Sequence, residues 1–243
     1  MWGLIRTYNL LTLSVFVSYV LIKMIITEQK PFQEIINSLK DYTKIFLVGC
    51  GECATTCKSG GKDELVKIQS SLEEQGKFVL GASIPDAPCI AAQIKTELAK
   101  NIKALREADV ILVLACGLGA QSVKDNDRLG LVVLPACNTL FGSTIDAAGN
   151  FHEKCSLCGE CVLGVTGGIC PITLCSKGLL NGPCGGVDKG KCEVDKERDC
   201  AWVLIYKELE KRNKLRSLKE VQEPKDFKKA SKPRKLILAK VKC

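Results

Sequence analysis

Histidine is almost absent from this chain: of 243 residues, only His152 is one. Imidazole is the usual general acid–base and half of the common mixed zinc ligand set. Neither a histidine-based catalytic centre nor a recurring Cys/His finger is therefore available. Aromatic residues are sparse, at 5%. There is no nucleophile elbow, no phosphate-binding P-loop and no HExxH pair. The scattered Asp and Glu residues fall on predicted helix faces and in the tail, where solvation is their ordinary role. The string GCGECATTC contains glycines, but its spacing does not fit a dinucleotide-binding turn. A basic folded body is missing too. The formal charge is +8, yet Lys207–Cys243 alone carries 14 Lys/Arg against 5 Asp/Glu, leaving 21 basic and 22 acidic groups elsewhere. A nucleic-acid partner, which asks for a basic face on the folded part, is not expected.

Cysteine is what the chain has in excess, with fifteen. Disulfide frameworks belong mostly to short secreted chains, whereas these cysteines fall in C-x-x-C runs that suit a metal centre and a reducing, cytoplasmic compartment. With one histidine, any repeated site is all-cysteine, either a four-cysteine zinc site or an iron–sulfur cluster.

Leu10–Ile22 is an uncharged apolar run of thirteen residues, short of the roughly 20 that span a bilayer. Two readings stand for residues 1–23: an over-long reading frame with the true start at Met24, or a membrane anchor on the cytoplasmic side. Pro31–Tyr42 reads as an amphipathic helix. Four apolar runs follow, Lys44–Gly49, Lys77–Ile84, Asp109–Ala115 and Leu129–Leu134, with helical patterns at Asp63–Gln75 and Ala91–Ala108 between them. Alternating strands and helices predict an α/β domain over residues 24–150, built on a parallel sheet. Residues 151–206 change character: eight cysteines, many glycines and little periodicity predict a module organised by metal rather than by an apolar core. Residues 207–243 form a basic tail, expected to wrap on a neighbour or stay without fixed structure.

In the α/β domain every cysteine follows a predicted strand: Cys50, Cys53 and Cys57 after the first, Cys89 after the second, Cys116 after the third and Cys137 after the fourth. The carboxyl ends of parallel strands share one edge, where such sheets bind ligands. Gly49, Gly51, Gly117 and Gly119 are expected to let the backbone approach and donate N–H groups to sulfide. Cys50, Cys53, Cys57 and Cys116 make the candidate four-ligand site. For Cys89 and Cys137 the role of small apolar filler stands beside that of ligand. In the module the candidate ligands are Cys155, Cys158, Cys161, Cys170, Cys175, Cys184, Cys192 and Cys200. Eight thiols divide into two sites of four, and spacing does not fix how they pair. The C-x-x-C-x-x-C triplet, in which one tight loop gives three thiolates to a cubane, favours [4Fe–4S] clusters over zinc. His152, just before Cys155, reads as an exposed loop residue.

The strings LVGCGECATTC, ILVLACGLGAQSV, CSLCGECVLGVTGGICPITLCSKGLLNGPCGG and KCEVDKERDCAWVLIY resemble the methylenetetrahydrofolate reductase C-terminal domain family, of the MetV-type iron–sulfur small-subunit kind. The resemblance runs from about Met24 into the tail segment EPKDFKKASKPRKL. It implies a heteromer with a flavin-containing TIM-barrel methylenetetrahydrofolate reductase in one-carbon (Wood–Ljungdahl-type) metabolism. FMN or FAD and folate chemistry would reside in that partner. It also implies an upstream electron donor, ferredoxin or an NADH-linked subunit. This chain's implied role is non-catalytic electron transfer through two clusters in the module and one in the α/β domain. The alternative is a structural zinc scaffold of four-cysteine sites that docks and stabilises the reductase.

Overall fold

A computed structural model describes residues 24–236. Leu10–Ile22 and Cys243 lie outside the described residues, and among those described no helix is long and apolar enough to cross a membrane. The chain divides into two compact units, the first ending at Leu140 and the second beginning at Phe141.

The first unit is an α/β sandwich. Strands β1 (Ile25–Gln29), β2 (Lys44–Val48), β3 (Phe78–Ser83), β4 (Val110–Val113) and β5 (Val132–Pro135) alternate with helices α1 (Phe32–Ser38), α2 (Cys53–Thr56), α3 (Lys62–Glu74), α4 (Ala91–Lys100), α5 (Ile102–Glu107) and α6 (Gly117–Asn126). Four strands form an all-parallel sheet in the order β3-β2-β4-β5. The period-two alternation of a strand sends successive side chains to opposite faces. Ile45, Leu47, Val110 and Leu112 therefore meet α1 and α3 through Ile35, Leu39, Leu65, Ile68 and Leu72. Phe46, Val48, Ile111 and Val113 meet α4, α5 and α6 through Ile94, Leu98, Leu105 and Val123. With both faces covered, the central strands β2 and β4 are continuous apolar runs.

The structure departs from the sequence-based expectation in four places. The helix predicted at Ala91–Ala108 is two helices. They are broken at Asn101, whose side-chain Nδ2 donates to the Glu97 carbonyl at 2.9 Å. The fourth predicted strand is shifted, to Val132–Pro135. Helix α6 begins GLGAQ, a start rich in glycine that hides its periodicity. Strand β1 precedes α1 and belongs to a three-stranded sheet, ordered β1-β6-β7, with β6 (Cys137–Ile145) and β7 (Phe151–Glu153).

In the second unit the end of β6 pairs antiparallel with β7, Ser143 opposite Glu153 and Ile145 opposite Phe151. Beyond that hairpin regular structure is scarce: α7 (Pro171–Leu174), α8 (Ala201–Lys211) and two 3₁₀ turns at Leu215–Lys219 and Phe227–Ala230. The unit does have a small apolar core, contrary to expectation. Trp202, Ile205 and Leu209 on one face of α8 pack with Ile169, Leu215, Cys175 and Cys200. Nor does the basic tail stand apart. Lys225 and Lys229 donate to the Glu160 backbone carbonyl and carboxylate, and Arg234 donates to the Leu157 carbonyl at 3.0 Å, so the tail closes over the CSLCGEC loop.

Candidate functional site

Four of the second unit's eight cysteines share one place. A small cavity is lined by Cys175, Cys184, Cys192 and Cys200, with Val187 and Trp202 also on its wall. The indole is fixed there because its Nε1 donates to the Leu179 carbonyl at 3.1 Å. The other four thiols, Cys155, Cys158, Cys161 and Cys170, belong to the CSLCGEC loop and the start of α7, which Thr173 ties together. Its Oγ1 accepts from the Ser156 N–H at 3.0 Å and lies 3.6 Å from Cys170 Sγ.

Backbone donors aim at sulfur in both places. The Leu157 N–H donates to Cys155 Sγ, and the Gly186 N–H donates to Cys184 Sγ, each at 3.4 Å. Hydrogen bonding at the Glu160 backbone, with the Lys225 ammonium beside it, holds Cys158 below the ordinary thiol range. The backbone at Val194 and the Ser176 hydroxyl do the same for Cys192. Cysteine spacing gives no hint that Lys225 and the tail share this environment. The only sequence signal is the density of lysine there. His152 is exposed on β7 and bonded to Asp146 at 2.8 Å, which keeps it within the hairpin.

In the first unit the six cysteines stand at the carboxyl ends of the strands, as their spacing predicts. Cys50, Cys116 and Cys137 are buried. Cys50, Cys53, Cys89 and Cys116 lie close enough that every pair among them repels when ionised. Burial, the larger effect, raises Cys50, Cys53 and Cys89, and pushes Cys137 up to about 12. Cys57 Sγ lies 3.8 Å from the Ile25 carbonyl of β1, the backbone group to which Cys53, one helical turn before it, is also hydrogen-bonded. Cys137 donates to the Ser59 carbonyl at 3.4 Å.

The glycines beside these thiols do not offer free N–H groups as expected. The Gly49, Gly51 and Gly117 N–H groups donate to the Ser83 carbonyl, the Pro85 carbonyl and Thr139 Oγ1. Their use is close approach. A Cβ on Gly51 would stand 3.1 Å from the Asp86 Cα, and one on Gly119 3.1 Å from the Pro88 Cγ.

No disulfide joins cysteines of the described residues. Among those residues, no three Cys, His, Asp or Glu side chains converge as the ligands of a single metal ion would.

Residues 134–228 match the family described as "Methylene-tetrahydrofolate reductase C terminal". The match starts in β5 and takes in all eight cysteines of the second unit and the start of the tail. It leaves out Cys50, Cys53, Cys57, Cys89 and Cys116, so the strings LVGCGECATTC and ILVLACGLGAQSV fall outside it. No curated protein matches the chain. Among solved structures, a glycine-to-cysteine mutant of arylmalonate decarboxylase in a sulfate-associated form aligns at 16% identity and a TM-score of 0.31. That alignment covers 43% of this chain and 46% of the other, so it spans less than half of that protein.

Proposed function

Because residues 134–228 match the methylenetetrahydrofolate reductase C-terminal family, we propose that this chain is a cytoplasmic iron–sulfur subunit of the MetV type that delivers electrons to such a reductase. The observation that carries the reading is the cavity walled by Cys175, Cys184, Cys192 and Cys200, with the CSLCGEC loop tied to the Cys170 segment at Thr173. Two four-thiol sets in one unit are what two [4Fe–4S] clusters require. Bound clusters would supply one-electron storage. The chain's own residues hold the thiols in place, present N–H donors to Cys155 and Cys184, and set the Lys225 charge beside Cys158.

Hydride chemistry lies with the partner. Methylenetetrahydrofolate takes two electrons and two protons to become methyltetrahydrofolate. A flavin, FMN or FAD, in a TIM-barrel partner collects those electrons singly and passes them on as a pair. A ferredoxin or an NADH-linked subunit would supply them.

The test is the visible spectrum and the iron, sulfide and zinc content of full-length protein purified without oxygen. A brown protein with a broad band near roughly 400 nm, bleached by dithionite, and at least about eight iron atoms per chain is expected. A colourless protein with about two zinc ions would make the subunit a docking scaffold instead.

A further inference from the structure

Helix α8 opens on AWVLIY, an unbroken apolar run. A helix resting on one core shows that core only a stripe, and a stretch that is apolar all round needs cover on a second side. Trp202, Ile205 and Leu209 make the stripe that meets the small core of the second unit. Val203 and Tyr206 line a cleft of about 550 Å³ instead. Its other walls come from Leu180 and Val187 of the preceding loop and from Leu218 and Val221 of the tail, all within the second unit. Asn181 fixes that tail to the loop. Its Oδ1 accepts from the Gln222 N–H at 2.8 Å and its Nδ2 donates to the Gln222 carbonyl at 2.9 Å, so the cleft is built into the fold.

What the cleft can take follows from what its wall leaves unused. The Trp202 indole N–H is spent on the Leu179 carbonyl, the Thr166 hydroxyl on the Val162 carbonyl and the Ser217 hydroxyl on the Lys214 carbonyl. A sugar or a nucleotide, which asks for such groups, is poorly served there, and apolar side chains are well served. Tyr206 is 47% exposed and Val221 80%. An aromatic ring beside an aliphatic side chain in an open cleft is the usual anchor point of a protein interface. The chain framing the cleft, Lys207–Lys219, carries charge of mostly one sign. Arg212 takes Glu208, which leaves Lys207, Lys211, Lys214, Arg216 and Lys219 against Glu210. Those five cations form no ion pair among the described residues. A fitting surface therefore carries apolar side chains ringed by carboxylates.

We propose that this cleft is the surface on which the reductase docks, taking apolar side chains of that partner with its carboxylates set around them. The proposal rests on the reductase-subunit reading and adds the place of contact. All of the lining residues, from Val165 to Gln222, fall within residues 134–228, the stretch matched to the reductase C-terminal family. Pro183, Val187 and Trp202 belong both to this cleft and to the cavity of Cys175, Cys184, Cys192 and Cys200. A docked partner is thus separated from those thiols by a single wall that includes the Trp202 indole.

The experiment titrates the full-length chain, purified without oxygen, with the purified methylenetetrahydrofolate reductase of the same organism. Calorimetry reads the dissociation constant and sedimentation the mass of each species. Tyr206→Ala and Val221→Glu are each expected to weaken binding about 30-fold, as loss of a central anchor does. Val66→Glu, at an apolar residue 57% exposed on α3 of the first unit, is expected to leave it unchanged. Added salt is expected to weaken binding of the parent, because it screens the cationic frame of the cleft. Val221 is so exposed that its replacement leaves the fold intact, and the far-UV CD of that variant is expected to match the parent. Parent-like affinity in both cleft variants would overturn the docking site and leave the partnership standing. So would a parent that sediments as a dimer, is dissociated by Val221→Glu and still binds reductase, since the cleft would then hold a second copy of this chain. Absence of any complex between parent and reductase would overturn both the docking site and the reductase-subunit reading. Neither readout depends on iron, so an iron–sulfur subunit and a zinc scaffold are tested alike.

Discussion

Single residues decide how the thiol loops are held. Gly159 has φ +81, and a Cβ there would stand 2.8 Å from the Lys229 carbonyl of the docked tail. Gly159→Ala therefore meets both a left-handed backbone and a blocked surface, and is expected to cost about 1–2 kcal/mol. It should also lift the tail from the CSLCGEC loop, seen as faster tryptic cleavage at Lys225 and Lys229. Asp109 works on the other unit. Its carboxylate accepts from the Lys44 and Thr43 N–H groups at 2.8 and 2.9 Å, which clips the start of β2 to the start of β4. Those bonds hold its carboxyl below the ordinary value of 3.8. A depressed folded-state value means the stabilisation is complete above the unfolded value and disappears as pH falls through the folded one. Asp109→Asn is thus expected to lower the urea midpoint at pH 7 modestly, by about 1 kcal/mol or less at so exposed a site. The gap from the parent should shrink below about pH 4.

At the scale of elements, burial sets the ranking. Leu112 on β4 is completely buried between the sheet and the α1/α3 layer. Leu112→Ala is expected to cost about 3 kcal/mol through lost contacts and the cavity left behind, read from chemical denaturation. The elements that are legible in the sequence are those with such burial: β2, β4 and α3 carry apolar residues at unbroken period. What escapes a sequence reading lacks it. Strand β6 reads CNTLFGSTI and is exposed along much of its length, so no alternation marks it. Only an Asn hydrogen bond divides α4 from α5, and a helical period runs on through it. The candidate thiols are all legible, because cysteine spacing is a strong signal. Their grouping is not, because it depends on which way a turn faces. Cys53 and Cys57 lie one helical turn apart and both meet the Ile25 carbonyl of β1, a strand that spacing alone does not announce.

At the scale of the whole molecule, the two units differ in what sustains them. The first has a doubly covered sheet. The second has one short amphipathic helix and many turns. Chelation of metal under reducing conditions is therefore expected to melt the second unit while the first keeps a separate, higher calorimetric transition. Trp202 offers a second readout, since it stands on the wall of the cavity shared by four thiols. Indole emission should be quenched while an absorbing cluster occupies that cavity and should rise on its removal.

Chain order gives the second unit a further property. Cys155–Cys170 precede Cys175–Cys200 along the chain without interleaving. Under the iron–sulfur reading proposed above, a nascent chain would complete the first set of thiols before the second has left the ribosome. The tail that closes over the CSLCGEC loop is the last part to be made, so on that reading maturation would run in the order fill, fill and close.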